Sequence, residues 1–298
     1  TRKSTEPSLS FNKYFTSSSF SIAIGIEDLN YDINSIGFDR SSNWLETEYK
    51  LFFENRSEQS YKSLNPTIKY ILLNEESLPF ESIDSRLMGL NYNNLFLRNW
   101  YSGPDQFLIQ DRIILGIEHQ NLGLQNNKNL NLLLGKAFFL DNGYSLDGKN
   151  KKTSPLIVEF KHRLKGNFFS NGMLEINSDL NKVYSSHFGL MYERDENKRI
   201  ELRSIYRRLN PYINNMPWLD NELPISQMEL LTQWSISDKF AVFGKIQKDN
   251  ELHESNDLSY GFQYSNCCMK VGLMKRKWKD QDYYAWYTNQ EEAFKALQ

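Results

Sequence analysis

Long apolar runs are missing from this 298-residue chain. No stretch approaches the roughly 20 consecutive apolar residues of a transmembrane helix; Phe138, Phe139 and Leu140, for example, run straight into Asp141 and Asn142. A helical membrane protein is therefore excluded. Charge excess is missing too: the net charge is -2 and the pI near 6.1, so the basic footprint of a nucleic-acid partner is absent. Histidine is scarce, and His119, His162, His187 and His253 are scattered without metal-ligand spacing. There is no Gly-x-Ser-x-Gly elbow and no phosphate-binding glycine loop. Ser186 and His187 are neighbours in an extended segment, where adjacent side chains point to opposite faces, so they do not make a nucleophile and its base. Acidic pairs such as Asp195-Glu196 and Glu291-Glu292 read as solvated turns and ends. No catalytic constellation emerges, and the chain is read as a non-enzyme without a cofactor or metal. Thr1 is neither an initiator Met nor the start of a charged-then-apolar signal, from which the expectation is a cytoplasmic chain or one whose start is lost.

What is present is alternation. Segment after segment of about ten residues switches polarity with period two between clusters of Asn, Asp, Gly and Ser. From Ile200 to Arg207, Ile200, Leu202 and Tyr206 share one face with Ser204, while Glu201, Arg203 and Arg207 share the other with Ile205. Met228, Leu230 and Trp234 stand opposite Gln227, Glu229 and Gln233; Leu258, Tyr260, Phe262 and Tyr264 oppose Ser259 and Gln263; Leu156, Val158 and Phe160 oppose Glu159, Lys161 and Arg163. So many charges do not belong in a dry core, because unpaired ions are costly to bury. The polar face must meet water, which leaves a one-sided sheet or a wide barrel. The mean hydropathy of -0.62 averages both faces and so does not argue against membrane.

The connections alternate in length. A long link at 141–153 precedes a tight turn at Lys165-Gly166; a medium link at 178–182 precedes a tight turn at 195–197; a long loop at 209–225 precedes Ser237-Asp238; and a medium loop near 250–256 precedes a reversal around 265–267. Short turns of outer-membrane barrels face the periplasm and long loops face outside. The 17 Tyr, 19 Phe and 6 Trp add a girdle signal, with Trp100, Tyr101, Tyr192, Trp234, Phe240, Tyr264 and Trp278 expected near strand ends. The competing reading of the pattern is a soluble antiparallel sandwich with uneven loops.

The two cysteines are adjacent, Cys267-Cys268. Neighbours on a strand point to opposite faces, and a bond between them closes a strained ring. If oxidised, they have partners elsewhere; the alternative is a pair of buried free thiols. They follow a tight turn, on the side that the loop lengths assign to the oxidising periplasm.

Tyr264-Ser265-Asn266-Cys267-Cys268 followed by Lys270, Val271, Gly272 and Arg276 resembles the Cys-Cys strand of the LptD family of lipopolysaccharide-assembly proteins. Ile225-Ser226-Gln227, then Trp234 to Phe240 with Asp238, and Gly244 resemble the family's turn and flanking strands. Leu95-Phe96, Trp100, Ser102-Gly103, Asp105 and Gly116 resemble its Gly-x-Asp segment, and Leu64-Asn65-Pro66, opening Thr67 to Leu73, the strand before it. Pro104, Gln106 and Ser235 depart from the family pattern.

The resemblance is clearest over 45–278. It implies an all-β fold, an antiparallel transmembrane outer-membrane β-barrel, partial, with roughly 14–16 strands of a larger barrel in a single domain over 1–298. The family's N-terminal periplasmic jellyroll, first barrel strands and terminal strands after the Cys-Cys strand are expected to be absent, since Glu291 to Gln298 lacks an aromatic-ended last strand. The implied function is integral outer-membrane transport of lipopolysaccharide into the outer leaflet. The implied partners are lipopolysaccharide, membrane lipid, an LptE-type lipoprotein plug in the lumen, and an LptA-type periplasmic bridge reached through the missing domain. Cys267 and Cys268 are implied to bond to that domain, and Arg203, Glu229 and Gln233 are candidate plug contacts. A porin-like channel, an outer-membrane phospholipase and a carbohydrate-binding sandwich are the alternatives.

Overall fold

The computed structural model describes residues 2–33, 36–75, 90–100, 111–123, 128–140, 152–164, 166–177, 182–195, 198–207, 225–249, 256–266, 270–278 and 281–287. Among these, seventeen strands and one short helix form a single antiparallel meander. The strands are β1 (Arg2–Thr5), β2 (Ser8–Tyr14), β3 (Ser18–Ile33), β4 (Ile36–Leu51), β5 (Phe53–Arg56) and β6 (Ser60–Glu75). After the helix α1 (Tyr92–Leu95) come β7 (Arg112–Gly123), β8 (Asn129–Phe139), β9 (Leu156–Arg163), β10 (Phe168–Ile176), β11 (Val183–Asp195) and β12 (Lys198–Arg207). The last five are β13 (Ile225–Ser235), β14 (Phe240–Asp249), β15 (Asn256–Ser265), β16 (Lys270–Trp278) and β17 (Gln281–Tyr287).

Prolines explain two of the strand boundaries. β1 and β2 both pair with β3, one after the other, and Pro7 stands in the gap between them. β4 and β5 likewise share one edge of β6, and their break at Phe52 lies level with Asn65 and Pro66 of β6. Proline has no N–H for a ladder, so pairing lapses on the side where the donor is missing. The strand bearing Pro66 begins earlier than expected, at Ser60 rather than Leu64, because β7 pairs with it without a break from Ser60 to Ile71. Counting each interrupted strand once leaves fifteen positions across the sheet.

The sheet has two edges: among the described residues no register joins β17 to β1 or β2. One finding departs from expectation at this edge. A strand does follow the Cys-Cys segment, for β17 pairs with β16 from Gly272↔Tyr287 to Trp278↔Gln281, and its Tyr-Tyr-Ala-Trp-Tyr run has the β-propensity to do so. Loop lengths alternate as expected: the connections after β6, β8 and β12 are long, and those after β9, β11 and β13 are tight. Gly166, with φ of 58°, supplies the left-handed residue of the β9–β10 turn.

The period-two pattern becomes two chemically different faces. On β12, Ile200 and Leu202 are exposed on the outer face, while Glu201 is buried on the inner one. Leu190, Met228, Leu230, Val242, Ile246, Tyr260 and Phe262 continue the exposed apolar face across β11 to β15. An apolar band in the open is stable only against another apolar phase, so this face is built for lipid. No helix of the described residues is long and apolar enough to cross a membrane.

Candidate functional site on the inner face

Residues 90–100 fold inward and lie on the inner face of β6 to β9. Asn91 caps α1, its Oδ1 accepting from Asn94 N at 2.7 Å. Tyr92 N donates to Glu159 Oε1 of β9 at 2.5 Å. Leu95 and Trp100 then enter a dry cluster with Leu90, Ile71, Ile114, Ala137, Phe139, Ile157 and Tyr184.

Two glycines make this approach possible. Gly116 of β7 and Gly135 of β8 face each other in register. A Cβ on Gly116 would come within 2.4 Å of Phe96 Cζ and 2.7 Å of Tyr92 Oη; one on Gly135 would come within 2.7 Å of Leu95 Cδ2. All three distances are shorter than the contacts Cβ atoms make, so a side chain at either position would force the segment to shift.

Polar anchors hold the segment at both ends. Arg112, fully buried, donates from Nη2 to the Leu97 carbonyl at 2.8 Å and to the Arg98 carbonyl, with its guanidinium over the Trp100 ring at 5.2 Å. Lys69 Nζ donates to the Phe96 carbonyl at 2.9 Å and pairs with Glu46 at 2.8 Å. Arg98 reaches along the same inner face toward β3 and β4, where it pairs with Glu6 and with Glu27 at 3.3 Å and covers the Trp44 ring at 4.2 Å. Between segment and sheet lies a cavity of about 190 Å³ lined by Glu48, Lys50, Thr67, Tyr92, Asn93, Phe96 and Glu118. Burial, with the Glu118 carboxylate nearby, holds the Tyr92 phenol well above its ordinary range, so it stays neutral.

A second polar region covers the inner face of β12 to β16. Glu201 lies between Arg199 at 2.5 Å and Arg203 at 2.7 Å; Glu229 lies between Arg203 at 3.9 Å and Lys245 at 3.6 Å. Asp257 accepts from both Nε and Nη2 of Arg276, at 2.9 and 2.8 Å. Alternating sign along and across strands lets a densely charged wall form without net repulsion.

Of the residues singled out by sequence, Phe96 meets Gly116, and Leu95 meets Gly135, which faces Gly116 in the ladder. Trp234 and Gly244 lie apart from them on the outer side of β13 and β14, and Asp238 in the turn between. Arg203, Glu229 and Gln233 share the inner face, Gln233 opposite Arg199. Trp100 does not join an outer girdle: it is 1% exposed, inside, with Nε1 donating to the Leu95 carbonyl at 3.3 Å. Ser102, Gly103, Asp105, Cys267 and Cys268 lie outside the described residues. Gly135, Arg112 and Glu159 went unnoticed in the sequence as partners of the inward segment, although a lone glycine inside an alternating strand is a recognisable sign of close backbone approach.

Comparison with known proteins adds identity to this geometry. A family model described as LptD, LPS transport system D, matches residues 1–240. The LPS-assembly protein LptD of Pseudoalteromonas atlantica is 22% identical, over 80% of this chain and 29% of that protein. That of Pectobacterium atrosepticum is 25% identical, over 81% and 33%, and that of Haemophilus influenzae strain Rd 25%, over 76% and 30%. The chain thus spans about a third of the length of these curated relatives. A solved porin of Rh. blastica, a triple mutant, aligns over 96% of this chain and 89% of its own at 7% identity and a TM-score of 0.36, too slight a likeness to carry an argument. The family model, matched over four-fifths of a chain that folds as a two-faced antiparallel sheet, is what identifies it: the chain belongs to the LptD family, LPS transport system D.

Proposed function

We propose that this chain is a single-domain stretch of the wall of an outer-membrane barrel that transports lipopolysaccharide and inserts it into the outer leaflet, without catalysing a reaction. The observation that carries the proposal is the pairing of LptD family membership with a sheet whose outer face is apolar and whose inner face is charged. An amphiphile with a sugar-phosphate head and acyl tails needs such a pair of surfaces. The head travels along polar groups, while the tails stay in hydrocarbon, which they leave at a cost of about 0.8 kcal/mol per methylene.

In this proposal the inner wall also receives a lipoprotein plug of the LptE type, with Arg203, Glu229 and Gln233 among its contacts. Residues outside this chain connect to a periplasmic bridge of the LptA type. Cys267 and Cys268 bond to cysteines of a periplasmic domain and hold it against the barrel. The segment 90–100, seated on Gly116 and Gly135, narrows the space beside β6 to β9.

The test is depletion of the complete protein in its own cells, followed by labelling of surface lipopolysaccharide. Newly made lipopolysaccharide that stays inside the envelope upon depletion supports the proposal. Unchanged surface arrival overturns it, and measured single-channel conductance of the purified protein with no lipopolysaccharide phenotype points to a porin-like channel instead.

A further inference from the structure

The cavity between the inward segment and the sheet is lined by groups of both signs. Lys50 meets Glu118 at 2.8 Å, and Glu48, two residues before Lys50 on β4, adds a second carboxylate. Thr67 and Tyr92 are buried and close the inner end, the Thr67 hydroxyl beside the Tyr92 phenol. Asn93 is exposed at the mouth, and Phe96 supplies a ring. The volume is about 190 Å³. A cavity of about 150 Å³ holds benzene, so one six-membered ring with its substituents fits here and two do not.

Register continues this polar surface toward the short-turn end of the sheet. Ser63 of β6 stands level with Gln120 of β7, and Gln120 with Asn131 of β8, which makes one inward row of a hydroxyl and two amides. In the next row Asn65 is level with Glu118, and in the one after that Thr67 is level with Gly116 and Lys50. Successive rows on one face lie about 7 Å apart and neighbouring strands about 4.8 Å, so the row adjoins the cavity. Ser63 Oγ, Asn65 Oδ1 and Asn131 Oδ1 are buried without a hydrogen-bond partner among the described residues, whereas buried polar atoms are normally satisfied. The wall of β12 to β16 is different, because charges of opposite sign answer one another there.

We propose that this cavity is a subsite for one neutral sugar ring, with the amide and hydroxyl row beside it. The mixture of groups selects the ligand. A phosphate would face Glu48 and Glu118 together. A bare ammonium would gain from Glu48 but would meet the Lys50 ammonium and leave the ring and the amides unused. Sugar hydroxyls both donate and accept, so they suit Glu48, Lys50 and the Asn93 amide at once, while a C–H face of the sugar covers Phe96. Hydroxyls bonded to Glu48 or Lys50 are charge-assisted and are the strong contacts. This chemistry has two sources, a free sugar and the head of a transported lipopolysaccharide. The second source rests on the transport reading given above; the subsite itself rests on the cavity.

The experiment uses the complete protein in detergent micelles, with methyl α-glucopyranoside as the probe and saturation-transfer NMR as the readout. The variants are E48L, E48Q, N93L and, on the outer face, K136Q. A hydrogen bond to a charged group is worth about tenfold or more in affinity, so E48L is expected to weaken glucoside binding at least about tenfold. N93L, at the exposed mouth and so usable even where E48L does not fold, is expected to weaken it about fivefold. E48Q, which keeps an acceptor, is expected to retain most of the binding, and K136Q all of it. Ethanolamine binding that E48Q abolishes, without glucoside binding, would assign the cavity to an ammonium and overturn the proposal. An absent glucoside signal in the wild type, or an equal one in all variants, also overturns it and leaves the transport reading intact. Displacement of the glucoside by lipopolysaccharide with core hexoses, but not by lipid A lacking them, supports the transported head as the source; displacement by neither supports free sugar. Surface lipopolysaccharide unchanged by depletion, with glucoside binding intact, would overturn the transport reading alone.

Discussion

Gly116 shows how much can hang on one missing side chain. The position reads in the sequence as a break in an alternating strand, yet what it accommodates, Phe96 and Tyr92, lies some twenty residues away. Gly116→Val is expected to displace the inward segment at a cost of about 1–3 kcal/mol, as overpacking does. Limited proteolysis between residues 90 and 100, together with iodide quenching of tryptophan fluorescence, checks this, and wild-type protection in the variant refutes the seat. Arg112 is the polar counterpart. Its guanidinium satisfies the carbonyls of Leu97 and Arg98, and bonds to a charged group contribute about 1.5–3 kcal/mol each when the partner is buried. Arg112→Met, similar in reach but unable to donate, is expected to release those carbonyls, with faster amide exchange over 95–98 as the readout. Neither contact was legible in the sequence, because side chains distant along the chain meet only once the sheet has ordered them.

At the scale of the element, β12 is the simplest case. Its alternation was readable residue by residue, and the structure exposes Ile200 and Leu202 while it buries Glu201 between Arg199 and Arg203. Leu202, near the middle of the strand, faces outward, so Leu202→Arg is expected to cost about 2–4 kcal/mol of folding free energy in bilayers. Arg203→Leu, on the watery face, is expected to cost less, and urea titration in vesicles compares the two; equal costs would falsify the assignment of faces. Glu229→Gln leaves Arg203 and Lys245 without the carboxylate between them. A loss on the order of 1 kcal/mol is expected, shrinking as salt rises, and the same titration at two ionic strengths measures it. Aromatic residues were less readable than charges. Trp100 was expected in a girdle and lies inside, since tryptophan at a strand end and tryptophan anchoring a loop have the same local sequence.

For the whole molecule, the adjacent cysteines make the sharpest prediction. If Cys267 and Cys268 tie the barrel to a periplasmic domain, reduction changes the electrophoretic mobility of the complete protein from outer membranes, and Cys267→Ser and Cys268→Ser each remove one crosslink. Mobility indifferent to reductant removes that role. What the amino-acid order determined by itself is the class of fold, the two faces of the alternating segments such as 200–207, and the alternation of long and short connections from residue 141 onward. These follow from the period-two geometry of a strand and from the incompatibility of charge with hydrocarbon, both local properties. What only the tertiary structure decided is which distant positions meet: the glycine seat beneath Phe96, the reach of Arg98 along the inner face to Glu27 of β3, and the strand after the Cys-Cys strand. Each depends on strand register and on the path of a long connection. Those are set by the sum of many cross-strand pairs rather than by any one segment.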